Sequence, residues 1–513
     1  MAVHCVFDAY MPKTYIKRLH SNRPGSSNME GHGRQWQQTG AEKMLVSKVI
    51  ISLPARLPGA GPIIPPCVSI LSGVAMNLTC PPARSRRHAV RLAVSIASSF
   101  LLSVPVAFAQ NLVVGPNLML NQQCPSCDMQ NPALFVDPSG NVFANWVSVQ
   151  PSGDRSERTV AVRFSPEAGK WGTSSIGLPK DNPVVQIGYD DLGNALAIWE
   201  TFFEGTTTFF YSYYSAQQRS WSRGVQFWDE SEGPGARLVM GPDGSAIVEG
   251  YARGGQVLFR FDPITRTMRQ NGREDISTDY ALDRKGNALH LTVARAWSSP
   301  VAQFVYGMRF DVATGQWSDR VSFISERERT DGLNTDYPKV ILDRNGNGMG
   351  MWSYMDDVYG EPHQMASARY LARNGKWIVK RIPVTGNGPV YEASMATDTT
   401  SNVYAVWSQT TSLGRTNIVF AKYSSVTGMW SAPRVIQSGT DSAWAPKIVA
   451  DNKGNVVAAW IQKNSAGKTV QTAARYSVAG DTWGKPVTVQ KDENANSYGT
   501  RLGIDNRGKA TVL

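Results

Sequence analysis

Residues 446–460 read PKIVADNKGNVVAAW, and this phrase recurs along the chain. It returns as PALFVDPSGNVFANW at 132–146, QIGYDDLGNALAIW at 186–199, PKVILDRNGNGMGMW at 338–352 and SMATDTTSNVYAVW at 394–407. Each copy is an apolar run, an Asp, a short polar turn ending in Asn, a second alternating run and a Trp. Alternation with period two is the mark of a strand. D-x-x-G-N joins two such strands as a hairpin, because Asp hydrogen-bonds the turn backbone and Gly takes the positive φ that a side chain resists. The Asp stands at Asp137, Asp190, Asp283, Asp343, Asp398, Asp451 and Asp505, with Gly241 in its place in one copy. From 137 to 505 is 368 residues over seven steps, a period of about 53. Trp146, Trp199, Trp352, Trp407 and Trp460 each lie nine residues after their Asp.

A second signature closes each repeat: FSPEAGKW, FDVATGQW, YSSVTGMW and YSVAGDTW, ending in Trp171, Trp317, Trp430 and Trp483. Trp221 and Trp377 hold the same place in two other copies. Every repeat therefore carries four short strands, and no stretch after residue 110 keeps a helical period. The expected fold is all-β, a β-propeller of seven or eight four-stranded blades. Stacking blades radially covers both apolar faces of each sheet, with the Trp residues filling the wedges. Complete repeats start near Asn131, Asn182, Gly233, Ser277, Asn334, Gly388 and Trp444. An eighth starts near Tyr498 and reaches Leu513 inside its second strand, and residues 111–130 are a candidate donor of a strand to it.

The charge is unevenly placed. Of the formal +11, residues 1–109 contribute 12 Lys/Arg against 3 Asp/Glu, and the remaining 404 residues contribute 40 against 38. A near-neutral propeller removes the electrostatic argument for a nucleic-acid partner. The basic excess belongs to a leader: Arg84, Arg86, Arg87 and Arg91, then the apolar run Leu92 to Val106, then Ala107-Phe108-Ala109. That order predicts an export signal over 76–109, cleaved after Ala109, and a periplasmic or extracellular address. Four Ser and one Pro in the run argue against a stable membrane span. Residues 1–75 are rich in Gly, Pro and Ser and read as a mis-called start or a disordered leader. Residues 110–130 hold Cys124 and Cys127, expected to pair as a local disulfide in an oxidising compartment. Four-Cys zinc sites are excluded by count, and the mature chain holds only His290 and His363, so neither a metal nor a cofactor is expected. Asp343, Asn345 and Asn347 alternate like calcium ligands, but the other copies lack the middle ligand and the turn reading is preferred.

The repeat resembles sialidase-type and kelch-type propellers over residues 131–513. The third hairpin of a sialidase blade carries S-x-D-x-G-x-T-W. Here it reads Ser165-Pro-Glu-Ala-Gly169-Lys-Trp171 and Ser424-Ser-Val-Thr-Gly428-Met-Trp430, keeping Gly and Trp without the Asp. Phe310-Asp311 to Trp317 echoes the kelch Y-D-x-x-T-x-x-W, without the kelch Gly doublet. Lys380-Arg381-Ile382-Pro383 matches a sialidase segment in letters but not in place, and is read as chance.

Two places could carry chemistry. Four residues before the turn come Gln186, Arg237, Asp279, Lys339, Lys447 and Arg501, with Tyr337, Tyr391, Trp444 and Tyr498 just upstream in later repeats. If ringed around the channel mouth, Arg237, Lys339, Lys447 and Arg501 would pair with the carboxylate of an anionic sugar while the aromatic rings stack on it. The alternative is that they line a wet channel and pack between blades. The loop SYMDDVYGEPHQ gathers Asp356, Asp357, Tyr359, Glu361 and His363. Its paired carboxylates could act as acid and base in a glycoside hydrolase or lyase, and otherwise form a solvated acidic loop. The leading expectation is a secreted, non-catalytic propeller that recognises a glycan or an extracytoplasmic protein, with the enzyme and a structural scaffold as alternatives.

Overall fold

The computed structural model describes residues 3–8, 48–53, 128–149, 157–174, 185–230, 235–252, 255–274, 278–296, 302–323, 338–355, 363–386, 388–437, 439, 441–490 and 499–513. It divides into two units, residues 1–105 and 106–513. In the first, Val3–Asp8 pairs antiparallel with Lys48–Leu53. The leader at 76–109 and the Cys124–Cys127 pair fall outside the described residues.

The second unit is a propeller of seven four-stranded antiparallel blades, and no helix occurs among its described residues. In each blade the strands, here A to D, pair in chain order. Strand A is Asp128–Val136, Val185–Tyr189, Ala236–Met240, Thr278–Leu282, Lys339–Leu342, Val390–Thr397 and Ala443–Ala450 in blades 1 to 7. An eighth, two-stranded unit follows, Leu502–Ile504 paired with Ala510–Val512. Its first strand contacts strand A of blade 7 on one side and strand A of blade 1 on the other. The ring therefore has eight positions, seven of them four-stranded. Residues 128–130, part of the segment considered as a donor to the last unit, instead open strand A of blade 1.

The apolar clusters lie between blades, and the strand-B Trp faces the preceding blade each time. Trp199 packs with Ala161 of blade 1, Trp352 with Leu289 and Leu291 of blade 4, Trp407 with Met349 and Met351 of blade 5, and Trp460 with Val406 and Phe420 of blade 6. Trp146 packs with Leu513 of the eighth unit. Trp407 and Trp460 are fully buried.

The D-x-x-G-N turn does more than reverse the chain. Asp451 Oδ1 accepts from the backbone N–H of Lys453 and Asn455, both at 2.8 Å, and Oδ2 accepts from Asn455 Nδ2 at 2.7 Å. The same three bonds recur at Asp137, Asp190 and Asp283. These buried carboxylates are saturated by N–H donors, which favours the turn over the calcium reading. The turn Asn then uses its other atom on the third hairpin of its blade, between strands C and D: Asn194 Oδ1 accepts from Ala216 N at 2.9 Å and Asn402 Oδ1 from Ser425 N at 3.0 Å. The turn Gly meets the blade before it. A Cβ at Gly140, Gly244, Gly346, Gly454 or Gly508 would stand 2.9 to 3.3 Å from the Asp carboxylate of the preceding unit. One five-residue motif thus closes a hairpin, ties two hairpins and seats one blade on the next.

Candidate functional site

Strand A is the innermost strand, and its channel-side edge has no neighbouring strand to satisfy its backbone groups. The row of polar residues on strand A supplies those partners. Gln186 Oε1 accepts from Leu238 N at 3.0 Å, and its Nε2 donates to Ala236 O. Asp279 Oδ2 accepts from Val340 N at 2.9 Å, and Ser394 Oγ from Ile448 N at 3.3 Å. Arg501 Nε donates to Pro132 O at 2.9 Å. In each case a side chain of one blade holds the backbone of the next.

Two of the cations expected at this mouth, Arg237 and Arg501, take part in ties between blades. Arg237 Nη2 lies 2.5 Å from Asp279 Oδ1, with Glu249 at 4.0 Å. Burial lowers the guanidinium's affinity for its proton, and Asp279, with Glu249 and Tyr251, more than restores it. Arg501 is engaged by a backbone carbonyl of blade 1. Lys339 and Lys447 are half-buried on strand A. Tyr391 and Trp444 are half-buried beside strand-A bulges, where Glu392 and Ala445 each take φ 51°. Glu392 Oε2 closes that bulge by accepting from Ala445 N. Tyr337, Tyr498, Asp356, Asp357, Tyr359 and Glu361 lie outside the described residues. His363 opens strand C of blade 5, opposite Met355.

At the opposite, turn-side mouth, side chains that directly follow a turn Asp reach one another between blades. Arg284 of blade 4 ion-pairs with Asp191 of blade 2, and Arg344 of blade 5 bonds Asn452 of blade 7, which reaches Asn506. They line a cavity of about 160 Å³. Burial raises the Asp191 carboxyl despite Arg284 and Arg344, with Asp190 and Asp137 adding to the rise. Both arginines are engaged in closing the ring.

A larger open site than this cavity lies elsewhere, as a groove of about 1220 Å³ between the outer strands of blades 1 and 2. The register builds it. In blade 1, Arg163 stands opposite Gly172 and Ser165 opposite Lys170, so these four share one face. In blade 2, Tyr214 stands opposite Trp221 and Ser215 opposite Ser220. The two rings tilt together, centroids 5.3 Å apart. Gly172 carries no side chain, which leaves space above Arg163. Arg163 Nη2 donates to Asn141 Oδ1 at 3.1 Å, and its guanidinium lies 5.3 Å from the Phe143 ring centroid. Arg507 of the eighth unit reaches in, its Nη2 donating to Ser139 O at 2.9 Å.

Four cations line the groove, Arg163, Lys170, Arg219 and Arg507, against one carboxylate, Glu167. Among the described residues no carboxylate pairs with Arg163, Lys170 or Arg219; Arg507 lies 3.4 Å from Asp505. Sequence reasoning missed this site because it joins hairpins some 50 residues apart across a blade boundary. One signal was available. The turn residue two before the strand-D Trp is Gly169, Gly315, Gly375 or Gly428 in four repeats and Arg219 in the second.

No protein-family model matches the chain, and no characterised protein matches it in sequence. Solved structures to which it is similar include the β-propeller domain of the Trilobed protease from Pyrococcus furiosus, at 10% identity and TM-score 0.42, covering 72% of this chain and 96% of that one. An ulvan lyase from a new polysaccharide lyase family is similar at 13% identity and TM-score 0.40, covering 69% and 92%. A puromycin hydrolase is similar at 13% identity and TM-score 0.41, covering 74% and 57%. None of the three is a sialidase or a kelch protein.

Proposed function

We propose that this propeller is a non-catalytic binding module that holds a glycan in the groove between blades 1 and 2. The observation that carries the reading is the Tyr214–Trp221 pair, set among hydroxyls and cations in an open groove. Aromatic rings offer apolar faces to the C–H faces of a sugar, and the surrounding polar groups fix its orientation. Strand pairs hold Arg163, Lys170, Tyr214 and Trp221 in place before the ligand arrives, and the turns between strands C and D add Glu167 and Arg219. Glycoside hydrolysis ordinarily uses two carboxylates flanking the bond, and Glu167 is the single acid among the described residues of these walls. Export by the 76–109 leader would place the module where it meets extracytoplasmic glycans.

A second reading, an exported protein as partner, has its own observation. Phe202 and Phe203 stand 73% exposed beside the tight turn at Glu204-Gly205 of blade 2.

The test is a glycan array probed with the purified protein, with product release followed on every hit. Binding without turnover, lost in Trp221→Ala, is the expected result. Turnover moves the site to an enzyme and brings Asp356, Asp357, Tyr359 and Glu361 into mutagenesis. Absence of binding to any glycan removes the reading in favour of a protein partner at Phe202 and Phe203.

A further inference from the structure

Resting on the glycan reading of the groove, we infer that its ligand is an anionic saccharide, one whose sugar rings carry sulfate esters or uronate carboxylates. Two independent observations lead there. The first is charge. Three of the four cations on the walls lack a carboxylate partner among the described residues, whereas the strand-A row and the turn-side mouth pair Arg237 and Arg284 with Asp279 and Asp191. A groove whose positive charge is left uncompensated is completed by an anion.

The second is backbone strain at Arg219. The turn between strands C and D needs one residue in the left-handed region. Gly169, Gly315, Gly375 and Gly428 hold it with φ between 62° and 70°. Arg219 holds it at φ 54°, where a Cβ is unfavourable. Two other repeats also place a side chain there, and in both it is engaged. Arg266 lies 5.0 Å from the Tyr213 ring centroid, and Asp481 accepts from Arg434 at 2.8 Å. No described residue engages the Arg219 side chain, which lines the groove. Among the described residues the strain has no structural return, and an oxyanion in the groove supplies one.

Arg219 on one wall and Lys170 on the other flank the Tyr214–Trp221 pair, with Arg163 below Gly172. A sugar ring stacked on the aromatic pair would carry its sulfate or carboxylate toward the guanidinium of Arg219, whose planar fork suits both groups.

The inference is tested by calorimetric titration of the whole protein with three probes: a heparin-type sulfated oligosaccharide, an oligogalacturonate and neutral cellohexaose. One or both anionic probes bind, more weakly as salt rises, and cellohexaose binds at least about tenfold more weakly. Which anionic probe binds separates sulfate from uronate. Arg219→Gly weakens anionic binding by roughly tenfold while raising the melting temperature, because Gly relieves the turn. Lys170→Ala weakens it without that rise. If cellohexaose binds as tightly as the anionic probes and Arg219→Gly leaves affinity unchanged, the anionic assignment fails and the glycan reading stands. If none of the three binds, both fail. A fall in melting temperature on Arg219→Gly overturns the strain argument.

Discussion

Replacing His290 with Phe should flatten the acid side of the protein's stability profile. His290 lies on strand B of blade 4, with no exposed surface and, among the described residues, no hydrogen-bond partner for either ring nitrogen. The Tyr280 ring stacks on it at 4.5 Å and 10°, and Trp317 meets it edge-on at 5.8 Å. Burial, with a smaller push from the charge of Arg320, holds the imidazole pKa down at about 3, against 6.5 for an ordinary histidine. The folded value is therefore below the unfolded one. Above the ordinary value both states are neutral and pH has no effect through this group. Below it the unfolded chain takes up a proton that the native protein refuses, so stability falls as pH falls, until the native pKa is reached. The slope is roughly 1.4 kcal/mol per pH unit, or about 2 kcal/mol lost by about pH 5. That is a large fraction of the ~5–15 kcal/mol typical of a domain. The assay is urea unfolding followed by tryptophan fluorescence at about pH 7 and about pH 5, for the wild type and His290→Phe. Phe keeps a ring for Tyr280 and cannot titrate. The wild type should lose about 2 kcal/mol more than the variant over that interval. Carboxylates that begin to protonate near pH 5 affect both proteins and cancel in the difference. Equal losses in the two proteins would refute a neutral, buried His290.

Two further substitutions probe the joints between blades. Gly454→Ala forces a Cβ to 3.0 Å from Tyr404 Oη and 3.2 Å from Asp398 Oδ2 at φ 79°. It should cost about 1–3 kcal/mol in chemical unfolding, and an unchanged midpoint would mean that the turn Gly does not seat one blade on the next. Ala161→Ser should do the reverse. Trp221 Nε1 is buried with no partner among the described residues, while the equivalent Trp430 Nε1 donates to Ser367 Oγ at 2.9 Å. Ala161 holds the position in blade 1 that Ser367 holds in blade 5, and a hydroxyl there should add about 1 kcal/mol by thermal melting.

The fold was legible because its repeat is written in single letters with fixed spacing. Asp451, Gly454, Asn455 and Trp460 each reappear at the same offsets, and four strands per period of about 53 admit few architectures. The sequence placed Asp and Gly in a hairpin turn correctly, but it could not show that Gly454 is also pressed against Asp398 of another blade. Nor could it show Asn402 bridging two hairpins, since Asn is equally at home in an isolated turn. The site was less legible. Arg237, Asp279 and Arg501 share a strand-A position, and only the open inner edge of strand A explains why polar residues are needed there. The groove residues Arg163 and Lys170 belong to one repeat and Arg219 to the next, and no local pattern joins residues that meet only when two blades stack. Arg219 was the exception, visible as a break in the glycine of the second signature.

The most direct test of the binding account is the affinity of the purified protein and of Trp221→Ala for the tightest glycan on the array, measured alongside their melting curves. The account predicts that the wild type binds without releasing product and that Trp221→Ala loses at least about tenfold in affinity while still melting cooperatively. A Trp221→Ala protein that folds and binds the glycan as the wild type does would contradict it, and would move the site out of the groove between blades 1 and 2.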